Sequence, residues 1–223
     1  MAEKPILFST EMVKAILKGQ KTQTRRVIKP QPTLEMDGEI DGAGNQCGYG
    51  LELHWKGKLL YPPRDCPYGQ PGDILWLRET WCREWKDPEG FTGKYLYKAD
   101  GVEVIHVDGS EKSPWRPSIH MPREAARIFL KVKNVRVERL QDISKADALA
   151  EGVDAINGWL LDRSDKWCRY TIKVAEQQGR SRPRVADAIG GFACLWDSIN
   201  GKRGYGWESN PLVWVIEFEM VKP

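Results

Sequence analysis

The sequence predicts an α+β protein, a mixed or antiparallel β-barrel decorated by a few helices and carrying long loop insertions. Three observations lead there. Segments with strand character outnumber helical ones, no strand–helix alternation builds a doubly wound sheet, and no internal repeat is present. At 223 residues the chain has the length of one large domain, so residues 1–223 read as a single unit with insertions at approximately 30–72 and 153–183.

The elements follow in chain order. Ile6-Leu7-Phe8, within Pro5 to Ser9, reads as a short strand. Thr10 then suits a helix N-cap, Glu11 favours the first turn, and Met12, Val13, Ile16 and Leu17 share one apolar face. Lys18 suits the last turn, and Gly19 is the residue type that takes a left-handed conformation after a helix. From Pro30 to Gly72, clusters such as Gly48-Tyr49-Gly50 and Pro62-Pro63 deny any sustained period, leaving one hairpin around Leu51 to Leu60. Pro71-Gly72-Asp73 turns the chain into a strand from Ile74 to Trp81, apolar enough at its start for burial on both faces. Tyr95 to Tyr97 and Val102 to Val107 are weaker strands.

Arg127 to Arg139 alternates through Ile128, Leu130 and Val132, then Val135 and Val137 after a kink at Lys133-Asn134. Ser144 and Asp147 have the spacing of a capping box, opening a short helix that ends at Glu151-Gly152. Val153 to Pro183 is irregular. Val185, Ile189, Phe192, Trp196 and Ile199 recur at helical spacing and predict an amphipathic helix over Arg184 to Ile199, with Gly190-Gly191 as a point of close packing. A last strand places Leu212, Trp214, Ile216 and Phe218 on one face and Glu217 and Glu219 on the other.

Bulk properties narrow the class. With 34 basic and 31 acidic residues the net charge of +3 is too small to identify a nucleic-acid partner, so only local clustering is informative. No apolar run approaches the ~18 residues of a membrane span. Glu3 and Lys4 stand where a leader would be apolar, so a cytoplasmic location with no membrane partner is expected. Cys47, Cys66, Cys82, Cys168 and Cys194 are odd in number and widely spaced, which suits reduced thiols. Cys47, His54, Cys66 and Cys82 lack the tight pairs of a zinc site, so neither metal nor cofactor is expected.

Chemistry concentrates in Gly19-Gln20-Lys21-Thr22-Gln23-Thr24-Arg25-Arg26. From Lys14 to Lys29 the chain carries Lys14, Lys18, Lys21, Arg25, Arg26 and Lys29 and no acid, a field suited to an anionic or acyl-bearing ligand such as a nucleotide. The Thr24 hydroxyl needs a base to become a nucleophile; Lys21 serves if burial and Arg25 and Arg26 favour its neutral amine. Such a pair requires non-extended backbone between residues 21 and 24, because positions three apart on a strand face opposite ways. Glu151 would hold the substrate or protonate a leaving nitrogen. The plainer reading keeps Lys21 and Arg26 as solvated charges or phosphate contacts and Thr24 as a cap or edge-strand residue. Glu79, in an apolar strand, either pairs with an arginine such as Arg26 or lines a pocket mouth. Among the tryptophans, Trp76, Trp81, Trp196 and Trp214 suit a core, and Trp55, Trp85, Trp115, Trp159, Trp167 and Trp207 include candidates for stacking on a base. His120 and Arg123 lie in a Pro-bounded loop near Trp115, and Arg180, Arg182 and Arg184 form a second basic cluster.

Gly19, Lys21 and Arg26 resemble the Gly-x-Lys-x-x-Glu-x-Arg signature of the ASCH superfamily, with Thr24 in place of the glutamate. The form with Thr24 is similar to that of small bacterial ASCH amidohydrolases that remove the acyl group of N4-acetylcytidine. Ile74 to Trp81 and Trp115 to Pro122 resemble segments of longer ASCH proteins of phage and prophage genomes. The resemblance implies a PUA-like barrel, with Lys21, Thr24 and Glu151 as catalytic residues. Beside it, Arg25, Arg26, Glu79, Trp115, His120 and Arg123 are the expected nucleotide-binding residues, with RNA or a modified nucleoside as the expected partner. A non-catalytic base reader, a phage structural or regulatory protein-binding module and an ASCH-type ribonuclease remain open beside it.

Overall fold

The computed structural model describes residues 1–40, 46–60, 62, 64–86, 90–102, 115–153 and 188–222. Its elements begin with β1 (Glu3–Leu7), α1 (Thr10–Leu17), β2 (Gln23–Val27), β3 (Thr33–Ile40), β4 (Gln46–Trp55) and β5 (Lys58–Leu59). There follow β6 (Ile74–Arg78), β7 (Trp81–Lys86), β8 (Gly90–Tyr97), β9 (Phe129–Arg139), α2 (Lys145–Ala150), α3 (Ala188–Asn200) and β10 (Leu212–Val221). A five-stranded mixed sheet runs in the order β1-β6-β9-β10-β2, with β1 and β6 parallel and the remaining pairs antiparallel. The fold class is α+β, a mixed sheet with few helices, as the sequence predicts.

β10 organises the packing because both of its faces are buried at the start. Leu212, Trp214, Ile216 and Phe218 join Ile6, Leu75, Leu77, Leu130 and Val132 in one core. Val213 and Val215 face a second core with Leu140, Ala148, Phe192 and Trp196, supplied by α2, α3 and their approaches. The sheet order ends at β1 and β2, and among the described residues no ladder joins the two. Side chains span that gap: Arg26 Nη2 donates to the Leu7 carbonyl at 2.7 Å, and its guanidinium lies 5.1 Å from the Phe8 ring centre.

Several elements differ from their sequence-based limits for identifiable reasons. The first strand begins at Glu3, and Ser9, not Thr10, is the N-cap, its hydroxyl accepting from Met12 N at 3.4 Å. Gly19 takes φ +71 as expected. The strand from Ile74 stops at Arg78, since Glu79 and Thr80 turn the chain into β7, which pairs with β8 in a separate ladder. Leu75 and Leu77 are fully buried while Trp76 is only half-buried, so β6 covers one face and not two. The expected kink at Lys133-Asn134 is a bulge: Glu217 pairs with Asn134 and Phe218 with Val132, leaving Lys133 unopposed. The expected hairpin near Leu51 to Leu60 is β4–β5, but β3 pairs along most of β4 in a stretch read as loop. Gly38, Gly48 and Gly50 inside that ladder break the alternation that would have revealed it.

The strand expected through Val107 lies outside the described residues beyond Val102, as do the irregular segment from residue 154 to 187, Arg180, Arg182, Arg184, Trp159, Trp167 and Cys168. Cys66, Cys82 and Cys194 are buried and in no disulfide. Among the described residues no helix is long and apolar enough to cross a membrane.

Candidate functional site

The site is built where α1 delivers the chain to β2. After Gly19 the backbone folds back, with Gln20 N and Lys21 N both donating to Ala15 O at 2.9 and 3.2 Å. Lys21 forms an isolated antiparallel bridge with Glu151, and Thr22 N donates to Ala150 O at 2.8 Å, so the end of α2 is laid against the start of β2. Gly152 makes that approach feasible. Its φ is +85, and a methyl group there would meet Lys21 Cβ at 3.0 Å and Ala15 Cβ at 3.1 Å.

β2 ends the sheet, and its register decides what its residues face. Ile28 N donates to Leu212 O and Phe218 N to Thr22 O, so the even-numbered residues spend their backbone groups on β10. The amides and carbonyls of Gln23, Arg25 and Val27 therefore point to the free edge. Thr24 and Arg26 lie opposite Ile216 and Trp214 on the first-core face; Gln23 and Arg25 lie opposite Glu217 and Val215 on the other.

The Lys21 ammonium is 0 % exposed and donates to Gln23 O at 2.8 Å, Glu151 O at 2.9 Å and Glu151 Oε2 at 2.6 Å, which uses all three of its protons. Burial pushes its pKa down against the opposing pull of Glu151, and Arg26 and Arg25 push the same way as burial. Glu151 Oε1 accepts from Arg25 Nη1 at 3.2 Å, and Arg25 continues into a network. Its Nε and Nη2 both reach Glu138 Oε1, at 3.0 and 2.5 Å, and Nη2 reaches Asp147 Oδ2 at 3.3 Å. Arg136 closes the array on Glu138, Asp147 and Glu217. Burial alone would raise the Asp147 carboxyl, but the hydrogen bond from Gln23 and the charges of Arg25 and Arg136 hold it below its ordinary value. Arg25, Val215 and Arg136 stand in one cross-strand row, which is why the sheet gathers these charges on one face.

A cavity of about 290 Å³ opens along the free edge of β2, close to the lower size of small-molecule sites, roughly 300 Å³. Thr24, Arg25, Arg26 and Glu151 line it, with Trp55, Tyr68, Phe192, Trp196 and Trp214 as its aromatic walls and Lys29 and Arg203 also in the lining. The Thr24 side chain has no hydrogen-bond partner among the described residues, although Thr24 is only 4 % exposed. Arg26 forms no ion pair among them, and its Nε is shielded from solvent without an acceptor. Burial lowers its pKa, with Tyr68 and Glu151 opposing.

Of the residues singled out in the sequence, the structure brings Thr24, Arg25, Arg26 and Glu151 to one cavity, with Lys21 bonded behind Glu151. Glu79, Trp115, His120 and Arg123 are not in its lining. Glu79 does pair with an arginine, but with Arg127 at 2.9 and 3.1 Å rather than Arg26, and Arg127 also holds Asp100. His120 is exposed in a 3₁₀ turn, and Arg123 makes an exposed pair with Glu3 at 2.9 Å. Of the loop tryptophans, Trp55 lies in β4 and on the cavity, edge-on to Trp214 at 6.1 Å. Sequence reasoning passed over Arg136, Glu138 and Asp147 as site partners. Their signal was present: Arg136 and Glu138 occupy the alternate positions of β9 between Val135 and Val137 and beyond.

No protein-family model and no curated protein matches this chain. A crystal structure of an ASCH domain from Lactobacillus crispatus JV V101 is similar to it with a TM-score of 0.35 and 12% sequence identity, covering 100% of this chain and 81% of that one. A likeness at that level does not establish a common fold.

Proposed function

We propose that the chain is a single ASCH-type, PUA-like domain over residues 1–223 and that its cavity takes the base of a modified pyrimidine nucleoside, free or within RNA. The observation that carries this is the convergence of an unpartnered hydroxyl, a guanidinium, a carboxylate and aromatic walls in one cavity beside a free strand edge. Aromatic walls suit a base face, and the amide and carbonyl groups of Arg25 and Val27, turned to the free edge of β2, offer a donor and an acceptor to its polar edge. The match of Gly19, Lys21 and Arg26 to the ASCH signature supports the same reading. Titration of the protein with N4-acetylcytidine and with a cytidine-containing RNA, followed by tryptophan fluorescence, should give saturable changes, since Trp55, Trp196 and Trp214 border the cavity. Absence of any saturable response to both ligands would sink it.

A second reading adds hydrolysis of the N4-acyl amide, and the free Thr24 hydroxyl favours it. Thr24 Oγ would attack the acyl carbon, its proton passing to Glu151, the carboxylate on the cavity wall, and from there to N4 as the C–N bond breaks, while Lys21 holds that carboxylate in place. Water would then cleave the threonyl ester to a carboxylate. Release of cytidine from N4-acetylcytidine by the wild type, lost in Thr24→Ala with binding retained, is the expected result. Binding without turnover would leave the cavity as that of a base reader.

A further inference from the structure

We propose that the same cavity also holds the ligand's phosphate, at a subsite formed by Arg26, Lys29 and Arg203, so that the ligand is a pyrimidine nucleotide rather than a bare nucleoside. This rests on the nucleoside reading above and adds the charge state of the ligand.

The charges in the lining do not balance. Among the described residues Glu151 is the one carboxylate on the cavity wall, and it is already matched by Lys21 at 2.6 Å and Arg25 at 3.2 Å. Arg26, Lys29 and Arg203 also line the cavity, and among the described residues none of the three makes an ion pair. Arg26 spends Nη2 on the Leu7 carbonyl at 2.7 Å and its Nε is closed off from solvent, while Nη1 stays accessible and has no acceptor among the described residues. Arg26 is only half-buried, so a ligand anion at its open side would replace water with charge-assisted hydrogen bonds. Lys29 follows the end of β2 with its ammonium 4.6 Å from the Tyr205 ring centre, and Arg203 sits in the turn after α3. Two guanidinium forks and an ammonium supply donors for several oxygens of one phosphate group, a match that a neutral ribose hydroxyl would not use.

The spacing along β2 fits a base and phosphate on one ligand. Thr24 and Arg26 lie on the same face two residues apart, about 7 Å along a strand. That separation is on the scale of one ribose. With the acyl or base end at Thr24, the phosphate falls at Arg26, and Lys29 lies further along the same direction. A phosphomonoester and an RNA phosphodiester present the same anionic oxygens there.

The test compares N4-acetylcytidine, its 5′-monophosphate, a cytidine-containing trinucleotide and inorganic phosphate, using calorimetry and thermal shift on the full chain at low salt. The monophosphate should bind roughly tenfold to a hundredfold more tightly than the nucleoside. That ratio should collapse toward one in Arg26→Gln and in the rim double variant Lys29→Gln/Arg203→Gln, which spares the protected Arg26 should its loss impair folding. Lys131→Gln, an exposed cation outside the lining, should keep the ratio. A variant-sensitive gain for the trinucleotide assigns the subsite to RNA diesters; a gain for the monophosphate alone assigns it to free nucleotides. Equal affinity for nucleoside and monophosphate overturns the subsite and leaves the nucleoside reading standing. Phosphate stabilisation lost in the rim double variant, with no nucleoside binding, upholds the subsite and ends that reading. No response to any probe ends both.

Discussion

Replacing Lys21 by Met removes a buried ammonium while keeping most of its stem. The folded protein loses hydrogen bonds of 2.8, 2.9 and 2.6 Å to Gln23 O, Glu151 O and Glu151 Oε2, leaving two carbonyls without that donor and one carboxylate with Arg25 as its remaining cation. Breaking a buried pair from one side costs about 3–5 kcal/mol. The surviving Arg25 contact at 3.2 Å argues for the lower end, about 3 kcal/mol. Glu151→Leu should cost a similar amount, since it strands the Lys21 ammonium. The double variant removes both charges, so the two losses should not add; a coupling energy of about 2 kcal/mol or more is expected. Urea unfolding followed by circular dichroism measures all three. A Lys21→Met loss below about 1 kcal/mol, or strictly additive singles, would refute the structural role argued here. The consequence for function is direct: inactivity of a Lys21 variant is not evidence of catalysis unless the variant is shown to fold. Thr24→Ala is the cleaner probe, because its hydroxyl has no partner to lose among the described residues.

Gly152→Ala should cost about 2 kcal/mol, combining a left-handed backbone at φ +85 with contacts of 3.0 and 3.1 Å, whereas Gly19→Ala, at φ +71 with open space around it, should cost about 1 kcal/mol; thermal unfolding compares them. Asp147 has its folded pKa held below the ordinary 3.8, so its contribution is present above that value and is lost as pH falls through the folded one. Asp147→Asn should therefore lower stability at neutral pH and flatten its fall on the acid side, read from urea midpoints against pH. Glu79→Ala strips Arg127 of one carboxylate and leaves it Asp100; the expected result is a loss of about 2 kcal/mol in urea unfolding with unchanged ligand affinity in the fluorescence titration, since Glu79 is not in the lining.

How much was legible in the sequence follows from the range of each signal. The segment Gly19 to Arg26, the α1 stop, the Ser144 cap and an irregularity at Lys133-Asn134, though not its bulge geometry, were readable because each depends on neighbours within a few residues. Ser144 Oγ accepts from Asp147 N at 3.0 Å, as the capping spacing implies. The Asp147 carboxylate does not complete a reciprocal cap; it turns to Gln23, Arg25 and Arg136, partners that only the pairing of β9, β10 and β2 brings near. The partner of Glu79 was likewise hidden, 48 positions away at Arg127. Glu151 was reached from the sequence by its place after a short helix. Its two cations, Lys21 and Arg25, lie 130 and 126 positions away and are fixed by tertiary contact.

The placement of β2 explains why one short segment carries both a structural network and a cavity wall. An interior strand would spend the backbone of Gln23, Arg25 and Val27 on a neighbour; at the sheet's end those groups face the open edge, where the Gln23 carbonyl already binds Lys21. Period-two alternation then sorts the side chains. Arg25 turns toward α2 and is consumed by Glu138, Asp147 and Glu151, while Thr24 and Arg26 turn toward the other core and keep free polar atoms at the cavity. A one-residue slip of β2 against β10 would exchange these roles, putting Arg25 at the unpaired position and Thr24 among the acids. The isolated bridge between Lys21 and Glu151 opposes that slip, because Lys21 Nζ bonds both the Gln23 carbonyl and the Glu151 backbone. The buried lysine thus sets the register of the strand, and the register decides which residues line the cavity.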